Sequence, residues 1–201
     1  MKKTALDQAI KIFKENNGIL RTQQAVRLGF APRTLYKMRE DGILVRESRG
    51  LYRLGETEFG SNTDLIQVAL KIPKGVICLI SALAFHNLTT QIPHQVYVAL
   101  PTASEKPRLE YPPLRLFWLS HKAYSAGVET HEVEGIPIHI YGIEKTVADC
   151  FKFRNKIGLD VAIEALKFYR KLEGFNIGIL LEYARIDRVE RIIKPYLEAI
   201  A

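Results

Sequence analysis

The chain has 201 residues, of which 47% are hydrophobic and 25% charged, a balance that excludes wholesale disorder and fibrous or collagen-like structure. Lys and Arg number 29 against 22 Asp and Glu, a net charge of +7. Residues 1–55 hold 12 basic and 5 acidic groups and residues 56–201 hold 17 of each, so the whole excess lies in the first quarter of the chain, as in a nucleic-acid-binding module joined to a neutral domain.

In chain order, Leu6, Ala9, Ile10 and Phe13 recur at spacings of three and four and predict a helix over Thr4 to Asn16, ended by Asn17-Gly18. Thr22 is expected to cap a second helix, QQAVRLG, which breaks at Gly29. Pro32, at a first-turn position, opens a third, PRTLYKMRED, closed by Gly42. Leu35 and Met38 point this third helix inward, leaving Arg33, Thr34 and Lys37 together on its outer face. Arginine there can bond guanine O6 and N7 two-pronged, while lysine and threonine divide between bases and phosphates. Tyr36 reads either as a phosphate contact or as cover for the core, and core cover is preferred.

Beyond Gly42 the period becomes extended: ILVRE, the turn Ser48-Arg49-Gly50, then LYRL, a short basic hairpin. Three helices and such a hairpin make a winged helix, expected over residues 1–58. Lys2, Lys3, Arg21, Arg27 and the hairpin residues Arg46, Arg49 and Arg53 are assigned to phosphates or the minor groove, where they set affinity and its salt dependence. The plain alternative for each is solubility. Ala25-x-x-x-Gly29 with Leu35 and Met38 downstream is similar to the helix-turn-helix pattern, in which a small residue lets two helices approach and glycine makes the turn.

GETEFGSNT, residues 55–63, has the composition of a linker, and a second domain is expected over 62–201. DLIQVALKIP reads as a helix stopped by Pro73, and GVICLISALAFHNL as an apolar helix. QVYVAL, RLFWLS, GVETHEV and IPIHIY read as strands of a small sheet of about four, and GIEKTVADCFKFRN, LDVAIEALKFYRKL, NIGILLEYARI and RVERIIKPYLEAI as four helices. The expected class is α+β: a winged helix-turn-helix followed by a mixed α/β domain with a small sheet and a helical C-terminal part.

The order of ISALAFHNLTTQIPHQVYVALP, then RLFWLS, then IPIHIYGIEKTVADCFKFRNKIGLDVAIEAL resembles the AbiEi family of antitoxins from type IV toxin–antitoxin systems. With the N-terminal winged helix the resemblance extends over nearly the whole chain. It implies an autorepressor whose winged helix binds double-stranded DNA at its own promoter. It also implies a C-terminal domain that opposes a nucleotidyltransferase-like toxin without forming a stable complex with it. No catalytic motif comes with this resemblance, so the DNA roles rest on the helix-turn-helix and hairpin positions above.

The remaining constellations are weighed against chemistry. Cys78 and Cys150 lie outside any C-x-x-C pair and read as buried thiols of a reducing cytoplasm. Asp7, Gln8 and Lys11 interrupt any signal-like run, and Val76 to Phe85 falls short of the about 18 residues of a membrane span, so a cytoplasmic protein with no membrane partner is expected. Five histidines, His86, His94, His121, His131 and His139, include no H-x-x-x-H pair, although His131 and His139 could meet across a hairpin; no metal and no cofactor are expected. Glu129, Glu132, Glu134 and Glu144-Lys145 could suggest a metal-dependent nuclease, but an aspartate on a matching earlier strand is missing, and alternating acids suit a solvated strand face. Phosphate-binding, dinucleotide, nucleophile-elbow and zinc-protease motifs are absent, so no enzyme is expected. Lys145, Lys152, Arg154 and Lys156, interleaved with Phe151 and Phe153, are candidates for contact with RNA or a toxin substrate, unless the phenylalanines are simply core. Two rival classes stand beside the repressor: a nucleic-acid-directed enzyme, and an interaction module that binds its partner directly. A dimer on a two-fold operator is possible.

Overall fold

A computed structural model describes residues 3–16, 18–48, 50–55 and 62–199. The chain divides into two compact units, Met1–Ile66 with Glu132–Ile136, and Gln67–His131 with Pro137–Ala201. The linker residues 56–61, and with them the expected domain edge at 58, lie outside the described residues.

The N-terminal unit runs α1 (Lys3–Glu15), β1 (Ile19–Arg21), α2 (Thr22–Arg27), α3 (Pro32–Glu40), β2 (Leu44–Ser48) and β3 (Leu51–Leu54). The α1 stripe buries Ala9 and Phe13, with Leu6 and Ile10 packed at its edges. Gly18, at φ +74°, turns the chain out of the helix while its N–H closes on the Phe13 carbonyl at 2.7 Å. The hairpin is present as expected, but β1 makes a third strand, in the order β1-β3-β2, pairing Leu20 with Tyr52. This pairing alters the start of α2. Thr22 is the first helical residue rather than the cap, because β1 carries it onto the hairpin turn: its N–H and its hydroxyl both donate to the Gly50 carbonyl, at 2.7 and 3.2 Å. The extended Arg21 holds the cap position, and its N–H is taken by the Gln24 side chain at 2.9 Å.

In the second unit the apolar run after Gly75 is not one helix. It divides into β4 (Val76–Ile77) and α5 (Leu79–Phe85), with Cys78 extended between them and Leu79 at φ +48°. The remaining strands are β5 (Val96–Pro101), β6 (Leu114–Leu119), β7 (Val128–Val133) and β8 (Ile136–Tyr141). They form a five-stranded mixed sheet, β6-β5-β4-β8-β7, in which β5 and β6 are parallel, β4 and β5 antiparallel, and β4 and β8 parallel. Preceding the sheet is α4 (Thr63–Lys71); α6 (His121–Ser125) follows β6; and α7 (Ile143–Lys152), α8 (Arg154–Ile157), α9 (Leu159–Arg170), α10 (Ile177–Ile186) and α11 (Glu190–Ala199) close the chain.

Tyr97 and Ala99 of β5 and Phe117 and Leu119 of β6 join the core built by α5, α7, α9, α10 and α11. Val98, Leu100, Ile138 and Ile140 point to the opposite side and are also buried. Burial on both faces explains why β5 reads as a continuous apolar run instead of an alternating one.

Candidate nucleic-acid interface

The helix-turn-helix is assembled from short-range geometry. Ala25 has no exposed surface, Gly29 turns the chain at φ +90°, and the Phe30 N–H reaches back to the Ala25 carbonyl at 2.9 Å. Phe30 therefore points inward, edge-on to Phe13 with ring centroids 5.8 Å apart. Ala31 is extended, as a residue before proline must be, and Pro32 starts α3. Leu35 and Met38 are 1% and 0% exposed, which fixes the rotation of the helix.

Arg33 and Lys37 consequently stand exposed one turn apart. Two neighbours differ from the sequence reading. Thr34 is half-buried and lines a cleft of about 380 Å³ with Gln8 and Ile12 of α1 and the turn residues Leu28 to Ala31. Tyr36 is 50% exposed and so does not cover the core. The reason is the helical period: Tyr36 and Lys37 lie three and four residues after Arg33 and share its face, whereas Thr34 is turned about 100° away. Glu40 ends this face with an acid, while Arg33 stands in the first turn of the helix and Lys37 and Arg39 in the last.

Arg21, Arg27 and Arg46 are exposed at the end of β1, the last turn of α2 and on β2. Arg53 is engaged within the hairpin: its Nε donates to Glu47 Oε1 at 2.8 Å and its Nη1 to the Leu54 carbonyl at 3.0 Å, with only 17% of the side chain exposed. Lys2 and Arg49 lie outside the described residues, as does the side chain of Lys3.

The four cations singled out in the second unit do not form one surface. Lys145 is fully buried, so its expected contact with RNA or a toxin substrate is corrected: its ammonium donates to Asp149 and, at 3.1 Å, to Asp187. It stands 4.7 Å from the Tyr141 ring centroid. Gly127 makes room for it, since a Cβ there would lie 2.7 Å from Lys145 Cβ. Burial alone would lower the Lys145 pKa, but the two aspartates outweigh it and hold the proton on. The same burial pushes the Asp149 carboxyl up against the pull of Lys145, and its Oδ2 has no hydrogen-bond partner among the described residues.

Lys152, a quarter exposed, pairs with the other oxygen of Asp187 at 2.9 Å. Arg154 is half-buried and donates to the Phe151 carbonyl, also at 2.9 Å. Lys156 is exposed, 5.7 and 5.8 Å from the Phe117 and Phe153 ring centroids. Phe151 is wholly buried and Phe153 packs on the core, as the structural reading of that helix has it. Arg115 of β6 was not legible as part of this group: its Nη2 donates to the Lys156 carbonyl at 2.7 Å and its Nη1 to Tyr97 Oη at 3.2 Å. Only its place in the strand beside β5 brings it there.

His131 bonds Glu129 at 2.8 Å and lies 5.9 Å, ring to ring, from His86, whereas His139 meets Thr130. Glu144 accepts from Tyr169 Oη at 3.0 Å. No group of three or more His, Cys, Asp or Glu among the described residues is placed to hold a metal ion. Cys78 and Cys150 are buried free thiols, and burial raises the pKa of both. No helix among the described residues is long and apolar enough to cross a membrane.

An α+β chain that opens with a winged helix-turn-helix and exposes Arg33 and Lys37 on its third helix has the form of a DNA-binding regulator. Comparison with known proteins narrows the class. Residues 7–55, from α1 through β3, match the model of a family described as "Transcriptional regulator, AbiEi antitoxin", so the resemblance read from the sequence holds over the N-terminal unit. The fold is similar to that in a crystal structure of the RV2827C protein from Mycobacterium tuberculosis, with a TM-score of 0.54 at 12% identity, covering 94% of this chain and 79% of that one. No curated protein matches the chain.

Proposed function

We propose that the chain is a cytoplasmic repressor of its own promoter and the antitoxin of a type IV toxin–antitoxin pair, opposing a nucleotidyltransferase-like toxin without binding it stably. The observation that carries this reading is the third helix, with Arg33 and Lys37 in solvent and Leu35 and Met38 buried, inside the segment that matches AbiEi regulators. Arg33 and Lys37 read bases; Thr34 reaches DNA only from the flank of the helix. Lys2, Lys3, Arg21, Arg27, Arg46 and Arg49 supply phosphate contacts, and Arg53 holds the wing in shape through Glu47 as well as facing the backbone. Of the remaining antitoxin candidates, Lys152, Arg154 and Lys156, the exposed Lys156 makes the contact, with Arg115 beside it. Two copies on a two-fold operator complete the assembly.

Binding of the purified protein to the DNA upstream of its gene, against a scrambled duplex and across a salt series, tests the repressor half. A preference of about a hundredfold with a steep salt slope is expected, and equal weak binding to both duplexes refutes it. Gel filtration with the product of the neighbouring gene tests the other half, because a stable complex there overturns antitoxin action without stable binding.

A further inference from the structure

An open cleft of about 660 Å³ lies at the carboxyl end of β5, between the turn that leaves α4 and the loop that leaves β5. Crevices at the carboxyl ends of parallel strands are where α/β sheets lodge ligands, and β5 runs parallel to β6. The volume is that of a small-molecule site. Ile72 and Leu100, both buried, form an aliphatic floor, and Pro73, Pro101 and Pro107 stand at the rim.

Both walls are held in place by the protein itself. A Cβ on Gly75 would lie 2.9 Å from Val98 Cγ1 and 3.1 Å from the Ile72 carbonyl oxygen, so the turn through Lys74 lies flat against β5. Tyr124 Oη donates to the Lys74 carbonyl at 2.6 Å and pins it further. On the other wall the N–H and the hydroxyl of Thr102 each donate to the Leu119 carbonyl at 2.8 Å. The Ser104 N–H donates to the Pro101 carbonyl at 3.1 Å, and Ala103 between them is held at φ +72°, a conformation that a residue with a Cβ keeps only where its surroundings impose it. Trp118, the single tryptophan of the chain, donates its Nε1–H to the Ser104 carbonyl at 3.0 Å and so reports on this wall.

The chemistry of the cleft is specific. Lys71 and Lys74, both exposed, line the cleft on the side of the turn that leaves α4, and neither pairs with a carboxylate among the described residues. Lys71 also complements the C-terminal end of α4, but Lys74 lies beyond the helix and has no such role. Two point charges suit a phosphate dianion better than a single carboxylate, and the aliphatic floor with its proline rim suits a flat ring. Glu105 on the opposite wall offers an acceptor to a hydroxyl or amino donor on that body. We propose that this cleft binds a small phosphorylated ligand of the nucleoside monophosphate class, with Lys71 and Lys74 on the phosphate and the ring over Ile72 and Leu100. The site lies within the second unit and does not depend on the repressor reading.

Titration of the full-length protein with AMP and with UMP, followed by Trp118 emission and by calorimetry, tests the proposal. Saturable binding of at least one of them is expected with a dissociation constant below about 1 mM, weakened about tenfold by Lys74→Ala and further by adding Lys71→Ala. The nucleoside without its phosphate is expected to bind about tenfold more weakly or worse. No saturation by either nucleotide, or an unchanged affinity in the double variant, overturns the proposal. So does equally tight binding of inorganic phosphate, which would mean that the ring is not recognised. Both lysines are exposed, and an unchanged thermal unfolding curve verifies that the double variant folds. Its binding to the upstream DNA is expected to stay unchanged, which keeps this outcome distinct from that of the repressor reading.

Discussion

In the N-terminal unit Arg33 and Lys37 stand in water on a helix whose opposite face, Leu35 and Met38, is buried; in the second unit Lys145 lies at 0% exposure between two aspartates. Both lysines, Lys37 and Lys145, sit on amphipathic helices with large apolar side chains nearby in sequence. What separates them is the company each keeps across the fold. Lys37 has open solvent over it and remains available to a phosphate or a base. Lys145 is covered from outside its own helix and meets Asp187, 42 residues further on. A cation left in water can bind something else, whereas a cation enclosed with its counter-charges has become part of the architecture.

The sharpest way to break this comparison is Lys145→Ala. It leaves Asp149 and Asp187 enclosed, with Lys152 on Asp187 as the remaining close cation among the described residues, and a loss of about 3–5 kcal/mol is expected in denaturant unfolding of the full chain. A loss below about 1 kcal/mol would show that Lys145 is not the internal counter-charge. The pH dependence sharpens the same point. Burial, with Asp187 beside it, pushes the Asp149 carboxyl above the ordinary 3.8 against the pull of Lys145, so above that value the folded state binds more protons and stability falls as pH rises through the raised range. Lys145, whose proton is held more tightly in the folded state, acts in the same direction at alkaline pH, its contribution being lost as pH climbs through the raised folded value. Asp149→Asn imitates the protonated acid and is expected to flatten this fall; an unaltered slope in the unfolding midpoint against pH would refute the assignment.

On the exposed side the effects are smaller and are read on DNA. Arg33→Ala is expected to cost about 1–3 kcal/mol on the operator and to relax preference at about one base pair, measured by competition among single-base variants of the site. Arg27→Ala is expected to weaken operator and random DNA alike and to reduce the salt slope by about 1. If both variants lose affinity equally on all sequences, α3 is not reading bases. The smallest effect belongs to Lys11→Ala. Its partner Glu15 is 3.8 Å away, both side chains are mostly exposed, and a stability change within about 0.5 kcal/mol is expected from thermal unfolding.

Most long elements were legible, because apolar residues at spacings of three and four mark α1, α3, α7, α9, α10 and α11, and Pro32, Gly29 and Gly42 mark where the chain turns; the four-residue α8 was run together with α7. β1 and β4 were not. At three and two residues they are too short to show a period, and they are strands only because distant partners hydrogen-bond to them: β3 for one, β5 and β8 for the other. On the outer face of α3, the exposure of Arg33 and Lys37 followed from their position opposite Leu35. Thr34 and Tyr36 exchanged their expected places because α1 and the turn, packed beside α3, decide which flank of that helix is covered.

The linear order of residues by itself determined the split of charge between a basic first quarter and a neutral remainder, and the helix-turn-helix with its inward Leu35 and Met38, inside the segment 7–55 that the AbiEi family model matches. These depend on composition and on neighbours within a few positions, which is the range over which helical period, proline and glycine act. The tertiary structure alone decided that Lys145 is enclosed, that Arg53 is drawn to Glu47, that Arg115 lies beside Lys156, and that a cleft opens at the end of β5. In each case the outcome rests on which distant segment excludes water or supplies a counter-charge, and a residue carries no local sign of what will cover it.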